Sequence, residues 1–383
     1  MKNPVRVLLI DHESLLGGAE ISMVLLAKYM PAKDVKYMAA IAGPGEFAER
    51  LYQAGIQEIY FLPMDGWRWW ETGWWNRLKI LLSLPVQAWN IIQWVKLYKK
   101  IKPDIVHFNL TRLIEPVVAA KICGLKTLMH FREHIDNNMN FWGGNKALFY
   151  IMNLCGYGIA NSLNTEESLK FYRHGVKIIY NGVETERLLN WSGNKLDFSS
   201  NNSKTKVAML ATLVPWKNHL TYFKLASIVC KSRKDILFIV AGKGGEEYTD
   251  YLKRQIKELH LEDNVVFTGF IEDYISLLWS IDILIHTSSK ESFGKIYIEA
   301  MAAKKPVLAL HGGAADELIQ HGINGFLYNE SQIETMAEQL IKLVDDNAYR
   351  QKLGINGQQY AVKKFSMKRH CEEISNLYRR LLP

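Results

Sequence analysis

The sequence predicts an α/β protein with two domains, each built on a doubly wound parallel sheet. Short apolar runs alternate with helix-length patterns in two separate series, which is typical of parallel strands covered by helices. A polar stretch separates the two series. At 383 residues the chain is also longer than one hydrophobic core usually supports. Together these observations predict two Rossmann-like domains with a cleft between them that could hold a ligand.

The first series predicts an N-terminal domain over residues 1–185. Its apolar runs predict strands at residues 5–10, 35–40, 59–61, 105–108, 127–130 and 158–160. Helical patterns lie between these runs, at residues 19–30, 45–54, 77–100 and 112–123. Pro85 is expected to break the third helix into two pieces, because proline lacks the backbone N–H that a helix interior needs.

The second series predicts a C-terminal domain over residues 205–365, after a polar linker at 186–204. Strands are predicted at residues 207–211, 237–242, 265–269, 283–286 and 306–310. Helices are predicted at residues 218–230, 246–260, 273–280 and 294–303. A last helix at 366–383 follows the second domain and could pack back on the first.

Composition and charge narrow the classes of function. The chain is 48% hydrophobic and 22% charged, which is typical of a globular protein, and its first apolar run is too short for a signal peptide. No uninterrupted apolar run of about 18 residues occurs, so we expect no membrane span. Four scattered cysteines without metal-type spacing predict reduced thiols. A net charge of +8 favours anionic partners such as phosphate-bearing substrates, acidic lipid surfaces or nucleic acid.

Two carboxylates lie on either side of a predicted helix start in the second domain. Glu291 lies on the loop after the strand at 283–286, and Glu299 lies inside the helix that begins near Gly294, with seven residues between the two. A helix N-terminus in a parallel sheet binds phosphate, and flanking carboxylates accept hydrogen bonds from hydroxyl groups. The arrangement therefore suits a nucleotide sugar.

The region from Lys204 to Tyr328 resembles the glycosyltransferase family 4 group of retaining enzymes with the GT-B fold. Weaker features extend the resemblance through the first half of the chain. The motifs that carry it are residues 213–217 (Leu-Val-Pro-Trp-Lys), 239–245, 264–269, 291–299, 312–317 and 325–328. The resemblance implies two Rossmann-like domains that face each other across a cleft, with the acceptor on the first and the nucleotide-sugar donor on the second.

The resemblance also implies a donor site on the second domain. It gives Glu291 a contact with hydroxyls of the donor sugar and Glu299 a contact with the ribose hydroxyls. Backbone N–H groups around Phe293 and Gly294 would face the diphosphate, and Lys217 would neutralise it. The competing interpretation is that Glu291 caps a helix while Glu299 and Lys217 are solvated surface residues.

Two residues of the predicted donor site depart from the family pattern, and one glycine is added to the site. Thr212 stands where the family commonly has an arginine, and Asn218 replaces the usual glycine, so one phosphate cation is missing or supplied elsewhere. Gly242, at the end of the strand at 237–242, could approach the nucleotide. No Asp-x-Asp sequence occurs, so we expect no essential metal ion and no cofactor besides the nucleotide sugar.

In the first half, the resemblance implies two further site elements. Gly17 and Gly18 resemble the family's glycine-rich loop, although a plain turn from strand to helix is the alternative. His130, at the end of the strand at 127–130, is the predicted catalytic contact of the first domain beside Lys217 and Glu291 of the second. Arg132 is a weaker candidate, as is His134.

Residues 67–100 are rich in tryptophan and basic side chains. Seven of the eleven tryptophans lie here, interleaved with arginine and lysine. Such a composition favours the headgroup region of an anionic bilayer. A core helix with an aromatic loop that lines an acceptor pocket is the alternative.

The function implied by the resemblance is metal-independent retaining sugar transfer. A hexosyl group would move from a nucleotide sugar to a saccharide or lipid-linked acceptor, in polysaccharide or cell-envelope glycan synthesis. The expected location is the cytoplasm, either free or peripheral at the inner face of the membrane. The alternatives are a catalytically impaired nucleotide-sugar-binding protein and a GT-B-like epimerase or phosphorylase. Nucleic-acid binding is not expected, because the basic residues are dispersed and no known module occurs.

Overall fold

The computed structural model describes residues 4–64, 74–135, 144–198 and 204–382. The chain divides into two compact units. The first comprises Met1–Gly182 together with Met367–Pro383, and the second comprises Val183–Ser366. The chain therefore leaves the first unit after Gly182 and returns to it at Met367.

The first unit is a parallel seven-stranded sheet in the order β3-β2-β1-β4-β5-β6-β7. Its strands are β1 Val5–Ile10, β2 Val35–Ile41, β3 Ile59–Phe61, β4 Ile105–Phe108, β5 Thr127–Phe131, β6 Tyr157–Ala160 and β7 Val176–Ile178. Its helices are α1 Gly18–Tyr29, α2 Glu46–Gln53, α3 Trp74–Ile101, α4 Ile114–Ile122, α5 Gly144–Met152, α6 Leu163–Glu167 and α15 Met367–Leu381. The strand order reverses between β1 and β4.

Both faces of the first sheet are buried, as the apolar strand runs predict. Leu8 and Ile10 of β1 pack on one face, in a cluster that includes residues of α3 and α4. Val7 and Leu9 face the other way, into a cluster that includes α1 and α15. Helix α15 thus contributes to the core of the first unit.

Helix α3 is continuous through Pro85, so the predicted break at that residue is wrong. The proline removes one backbone hydrogen bond and adds a steric clash in the turn before it. Packing offsets this cost farther along the helix, where Trp94, Leu97 and Tyr98 are buried in the same cluster as residues of α4. Trp67, Trp69 and Trp70 lie outside the described residues.

The second unit is a parallel six-stranded sheet in the order β10-β9-β8-β11-β12-β13. Its strands are β8 Thr205–Leu210, β9 Ile236–Ala241, β10 Val265–Gly269, β11 Ile283–His286, β12 Val307–Leu310 and β13 Gly325–Tyr328. Its helices are α7 Thr185–Leu189, α8 His219–Val229, α9 Glu246–Glu258, α10 Tyr274–Ser280, α11 Lys295–Ala302, α12 Ala315–Leu318, α13 Ile333–Asp345 and α14 Asn347–Phe365. Most of α7 falls in the stretch predicted as a linker.

Across the described ranges, no helix combines the length and the hydropathy needed to cross a bilayer.

The two sheets share one property that matters for function. Each is wholly parallel with a reversal of strand order near its centre, at β1/β4 in the first and β8/β11 in the second. Ligands bind at the carboxyl ends of the strands beside such reversals.

Candidate functional site

At the reversal in the second sheet, two loops are tied together by side-chain hydrogen bonds. One loop follows β8 and ends in a 3-10 turn, Pro215–Lys217. The other follows β11, and its Thr287 Oγ1 donates to the backbone oxygen of Asn218 at 2.8 Å. Ser288 Oγ donates to the backbone oxygen of Trp216 at 3.3 Å. These contacts hold Lys217 beside the loop that carries Glu291.

Glu291 is the centre of a charged cluster. Lys217 Nζ donates to Glu291 Oε1, and His286 Nε2 lies 2.8 Å from the same oxygen. Burial raises the pKa of Glu291, but the hydrogen bond from His286 and the hydrogen bond and charge of Lys217 outweigh it and lower that pKa to about 2. Glu291 is therefore an ionised carboxylate at neutral pH, and the alternative of a plain helix cap does not describe it.

Gly294 fixes the shape of the turn between Glu291 and α11. Its φ is +69°, and a Cβ atom there would lie 2.5 Å from the ring of Tyr297. Only glycine meets both conditions without strain. Phe293 is buried and packs against Phe365, with ring centroids 6.1 Å apart. Its side chain thus anchors the loop, and only its backbone could face a diphosphate.

Glu299 lies inside α11 and is 9% exposed, so it is not the solvated surface residue of the competing interpretation. Burial raises its pKa, and the charge of Lys295 and hydrogen bonding to Tyr274 only partly offset this rise. Tyr274 begins α10. A buried carboxyl can bond with hydroxyl groups of a ligand in either protonation state, as an acceptor when ionised and also as a donor when protonated.

Gly242 is required by the close approach of two loops. Its φ is +153°, and a Cβ atom there would lie 1.9 Å from the backbone oxygen of Ala211. The backbone N–H of Leu213 donates to the oxygen of Lys243 at 2.9 Å, which joins the same loops. The glycine at this position therefore has a clear structural purpose, whether or not it also meets a nucleotide.

The reversal in the first sheet carries a second polar network. Asn109 Nδ2 donates to Asp11 Oδ2 at 2.6 Å, directly between the ends of β1 and β4. Arg132 Nε donates to Asn109 Oδ1 at 2.8 Å, and Arg132 Nη1 donates to Asn181 Oδ1 at 2.7 Å. Burial, followed by the charge of Glu20, raises the pKa of Asp11 to about 7.

Gly17 and Gly18 lie at the start of α1, next to this network. The backbone N–H of Gly17 donates to Glu20 Oε2 at 2.8 Å, which caps the helix. Neither glycine has a positive φ. A Cβ atom at Gly17 would meet only the end of the Glu20 side chain, and one at Gly18 would meet nothing within 4 Å.

His130 does not reach a surface in this structure. Strand β5 extends to Phe131, one residue farther than predicted, so His130 stays within the sheet and its side chain is 0% exposed. Its ring stacks on His107 at 5.5 Å, and burial holds its pKa well below the usual value. A contact between His130 and a donor sugar therefore stays a prediction from the resemblance, and the structure does not show the side chain at a surface. Arg132, the next residue beyond the strand, faces the polar network instead.

Family models match both halves of the chain. The model described as "Glycosyl transferases group 1" matches residues 194–360, and the model described as "Glycosyltransferase Family 4" matches residues 16–187. The chain belongs to the family 4 type of glycosyltransferases.

Relatives in sequence include other glycosyltransferases. N-acetyl-alpha-D-glucosaminyl L-malate synthase of Bacillus anthracis is 30% identical over 38% of this glycosyltransferase and 37% of its own length. Poly(ribitol-phosphate) alpha-N-acetylglucosaminyltransferase of Staphylococcus aureus is 27% identical over 45% of this chain and 35% of its own. An uncharacterised glycosyltransferase of Methanocaldococcus jannaschii is 28% identical over 54% of this chain and 53% of its own length. The chain thus spans about half, or less, of the length of the curated relatives it matches.

Solved structures confirm the GT-B fold. Anabaena HepE in complex with UDP matches with a TM-score of 0.80 and 22% identity, over 98% of this chain and 100% of HepE. A glycosyltransferase of Rickettsia africae matches with a TM-score of 0.80 and 22% identity, over 99% of both chains. The lipopolysaccharide outer core galactosyltransferase WaaB matches with a TM-score of 0.71 and 15% identity, over 98% of this chain and 99% of WaaB.

The structure of this glycosyltransferase also reveals site residues that the sequence did not single out. His286 is the last residue of β11, and its position five residues before Glu291 is the only sequence signal for it. Asp11 and Asn109 each follow a strand at the reversal of the first sheet. Among the described residues, no group of three or more His, Cys, Asp or Glu side chains is placed to hold a metal ion. That catalysis needs no metal remains a prediction.

Proposed function

We propose that this protein is a retaining, metal-independent glycosyltransferase. It would transfer a hexosyl group from a nucleotide sugar to a hydroxyl of a saccharide or lipid-linked acceptor. The process would be polysaccharide or cell-envelope glycan synthesis. The observation that carries the proposal is the pairing of Lys217 with the ionised Glu291 at the strand reversal of the second sheet, within a chain of this family.

The donor would use four features of the second unit. Lys217 and the N-terminus of α11, at Gly294, supply positive charge for the diphosphate. Glu291 accepts hydrogen bonds from the sugar, and Glu299 from the ribose. The cation at Lys217 stabilises the negative charge that develops on the departing nucleotide. No metal ion would be needed for that step.

The reaction we propose is a front-face displacement. The acceptor hydroxyl oxygen forms a bond to the anomeric carbon on the face from which the diphosphate oxygen departs. The bond between that carbon and the diphosphate breaks, and the hydroxyl proton passes to the leaving diphosphate. Configuration at the anomeric carbon is retained, and the protein contributes positioning and electrostatic stabilisation.

Related proteins suggest which donor to test first. HepE has been solved with UDP and with UDP-glucose. The B. anthracis and S. aureus relatives are named for N-acetylglucosamine transfer. A UDP-hexose or UDP-N-acetylhexosamine is therefore the first donor to test with this chain.

A thermal-shift panel of UDP-, GDP-, ADP- and CMP-sugars tests the proposed donor site. A donor present at 100 times its dissociation constant adds about 2.7 kcal/mol to the stability of the unit that binds it. The Glu291→Ala variant should lose most of this stabilisation, whereas Glu262→Ala, which changes an exposed glutamate of the same unit, should keep it. Absence of any shift across the panel would contradict the proposal.

Product analysis with the same variants separates the competing functions. Transfer or donor hydrolysis by the parent, lost in Glu291→Ala and unaffected by EDTA, supports the proposed enzyme. Donor binding without turnover indicates a nucleotide-sugar-binding protein. Conversion of the nucleotide sugar to its epimer, or phosphorolysis, supports the other enzyme class.

We also propose that the first unit contacts the inner, cytoplasmic face of an anionic membrane through α3. Leu82, Val86, Trp89 and Ile92 are exposed at helical spacing along this helix, with exposures of 71%, 52%, 57% and 46%. Lys96 follows on the same side and lies over the Trp89 ring at 5.3 Å. An acceptor carried by a lipid would then lie on the same surface that the protein binds.

A further inference from the structure

His286 is buried directly beneath the carboxylate of Glu291. It ends β11, is 1% exposed, and pairs with Ala309 of β12 in the sheet register. Its Nε2 lies 2.8 Å from Glu291 Oε1. The backbone of His286 belongs to a central strand, so only rotation of its side chain could move the ring.

Aromatic packing fixes the orientation of the His286 ring. Tyr297 meets it edge to face, with ring centroids 5.2 Å apart and an interplanar angle of 81°. Tyr297 is fully buried and also packs against Gly294, where a Cβ atom would be 2.5 Å from its ring. One tyrosine therefore supports both the histidine below Glu291 and the turn after it.

The surroundings also select the tautomer of His286. Its Nδ1 is buried and has no hydrogen-bond partner. A buried N–H without an acceptor costs more than a buried lone pair on a neutral ring that is otherwise satisfied. The favoured form therefore carries its proton on Nε2 and donates it to Glu291.

Lys217 contacts the same oxygen of Glu291, but it is held less firmly. Its side chain is 20% exposed, against 1% for His286. A lysine on a flexible four-carbon chain can turn toward a diphosphate, whereas the His286 ring is enclosed and packed against Tyr297. Under the function proposed above, donor binding thus draws Lys217 away and leaves Glu291 with one fixed partner.

We propose that His286 is a positioning residue, which keeps Glu291 oriented toward the donor sugar when the diphosphate engages Lys217. This inference rests on the proposed function and adds a residue to the same site. It predicts that His286 affects binding of the sugar group and not binding of the diphosphate.

Ligand titrations of purified full-length variants test the role of His286. The ligands are UDP and UDP-glucose, or the best nucleotide sugar of the panel and the nucleotide that it carries. In His286→Leu, binding of the diphosphate should match the parent, while binding of the nucleotide sugar should weaken about tenfold through loss of a charged hydrogen bond. His286→Gln, which can still donate, should recover part of the loss. His321→Leu, which removes another histidine of the same unit, should resemble the parent. Equal weakening of both ligands, or of neither, would overturn the proposal.

A second measurement is independent of the donor. In the ¹⁵N NMR spectrum of the parent, the histidine signal that disappears in His286→Leu should show a neutral ring protonated on Nε2. Protonation on Nδ1 would overturn the contact with Glu291. If no nucleotide sugar binds the parent, the proposed function fails, and this spectrum still decides whether His286 donates to Glu291.

Discussion

The pKa values of two buried carboxyls of this protein are shifted in opposite directions by their neighbours. Glu291 receives hydrogen bonds from Lys217 and His286, and its pKa falls to about 2 despite burial. Asp11 is buried with an amide partner and with Glu20 nearby, and its pKa rises to about 7. Burial alone favours the neutral form, and Glu291 stays charged because it accepts a hydrogen bond directly from the cationic Lys217. The charged one lies where the hydroxyls of a sugar would be bound.

The raised pKa of Asp11 predicts a pH-dependent effect of Asp11→Asn. The usual pKa is 3.8, so between pH 3.8 and about 7 the folded state binds more protons, and the parent loses stability as pH rises through this window. Asparagine carries no charge and avoids this loss. Relative to the parent, the variant should gain on the order of 2 kcal/mol between pH 5 and pH 8.

Thermal unfolding of both proteins across this pH range measures the gain. Besides Glu20, the groups near Asp11 include the Asn109 amide, the Glu13 backbone N–H, the Arg132 charge and His12, whose Nδ1 lies 3.7 Å from Asp11 Oδ1. The matched control is Asp104→Asn, an exposed aspartate that accepts the Arg6 backbone N–H. A stability difference that stays constant with pH for Asp11→Asn would contradict the assignment.

At the scale of elements, α3 carries two opposed apolar faces. One face, with Trp94, Leu97 and Tyr98, is buried in the first unit. The other exposes Trp89 and its apolar neighbours and continues into Lys96, Lys99 and Lys100. The helix has no acidic residue. An apolar strip that ends in lysines matches the acyl and headgroup layers of an anionic bilayer.

Removing apolar side chains from the exposed face should release the protein from vesicles. The parent is expected to co-sediment with vesicles that contain phosphatidylglycerol, less so in high salt, and weakly with neutral vesicles. Trp89→Ser with Ile92→Ser should lower binding more than tenfold, because each buried apolar side chain contributes about 1.5–3 kcal/mol. Tyr52→Ser with Ile122→Ser, at exposed positions on α2 and α4, is the control. Equal loss in both double variants would argue against α3.

The elements that the sequence predicts well are those with a full apolar run. Strand β1 is found at the predicted residues, and β11 likewise. Strand β7 was not predicted, because Val176–Ile178 is an edge strand with Lys177 at its centre and is only half-buried. Pro85 misled the prediction of α3, since local propensity carries no information on the packing that holds the helix together.

The site was predictable only where motifs indicate it. The pattern around a helix start singled out Glu291, the family resemblance singled out Lys217, and the structure places the two in contact. The same reasoning could not identify His286, because an apolar strand hides the fact that its last side chain turns toward the loop. For His130, the strand is one residue longer than predicted, so its side chain lies in the core and its predicted role stays a prediction.

At the scale of the whole molecule, the two units have parallel sheets of the same kind but different connectivity. The second unit is one continuous segment, Val183–Ser366, whereas the first is built from two segments. The proposed donor residues all belong to the second unit, apart from Gly17 and Gly18. The main effects of donor binding should therefore fall within one continuous stretch of chain, Val183–Ser366.

Hydrogen exchange can locate that stretch. With a bound nucleotide sugar, we expect the largest added protection in the loops after β8 and β11, residues 211–218 and 287–294, because these backbones would become ordered against the ligand. Peptides from the buried strand β9 serve as the internal control. Protection confined to the first unit would contradict the assignment of the donor to the second.

The place of α15 has a consequence for how the protein is made. Its Ile374, Leu377 and Tyr378 are buried against residues of β1 and β2, although they are separated from them by more than three hundred residues of chain. During translation the second unit can fold as soon as it leaves the ribosome. The first sheet, most of which is synthesised before the second unit, must instead wait with part of one face uncovered until residues 367–381 emerge. The unit whose synthesis starts earlier is thus completed after the other.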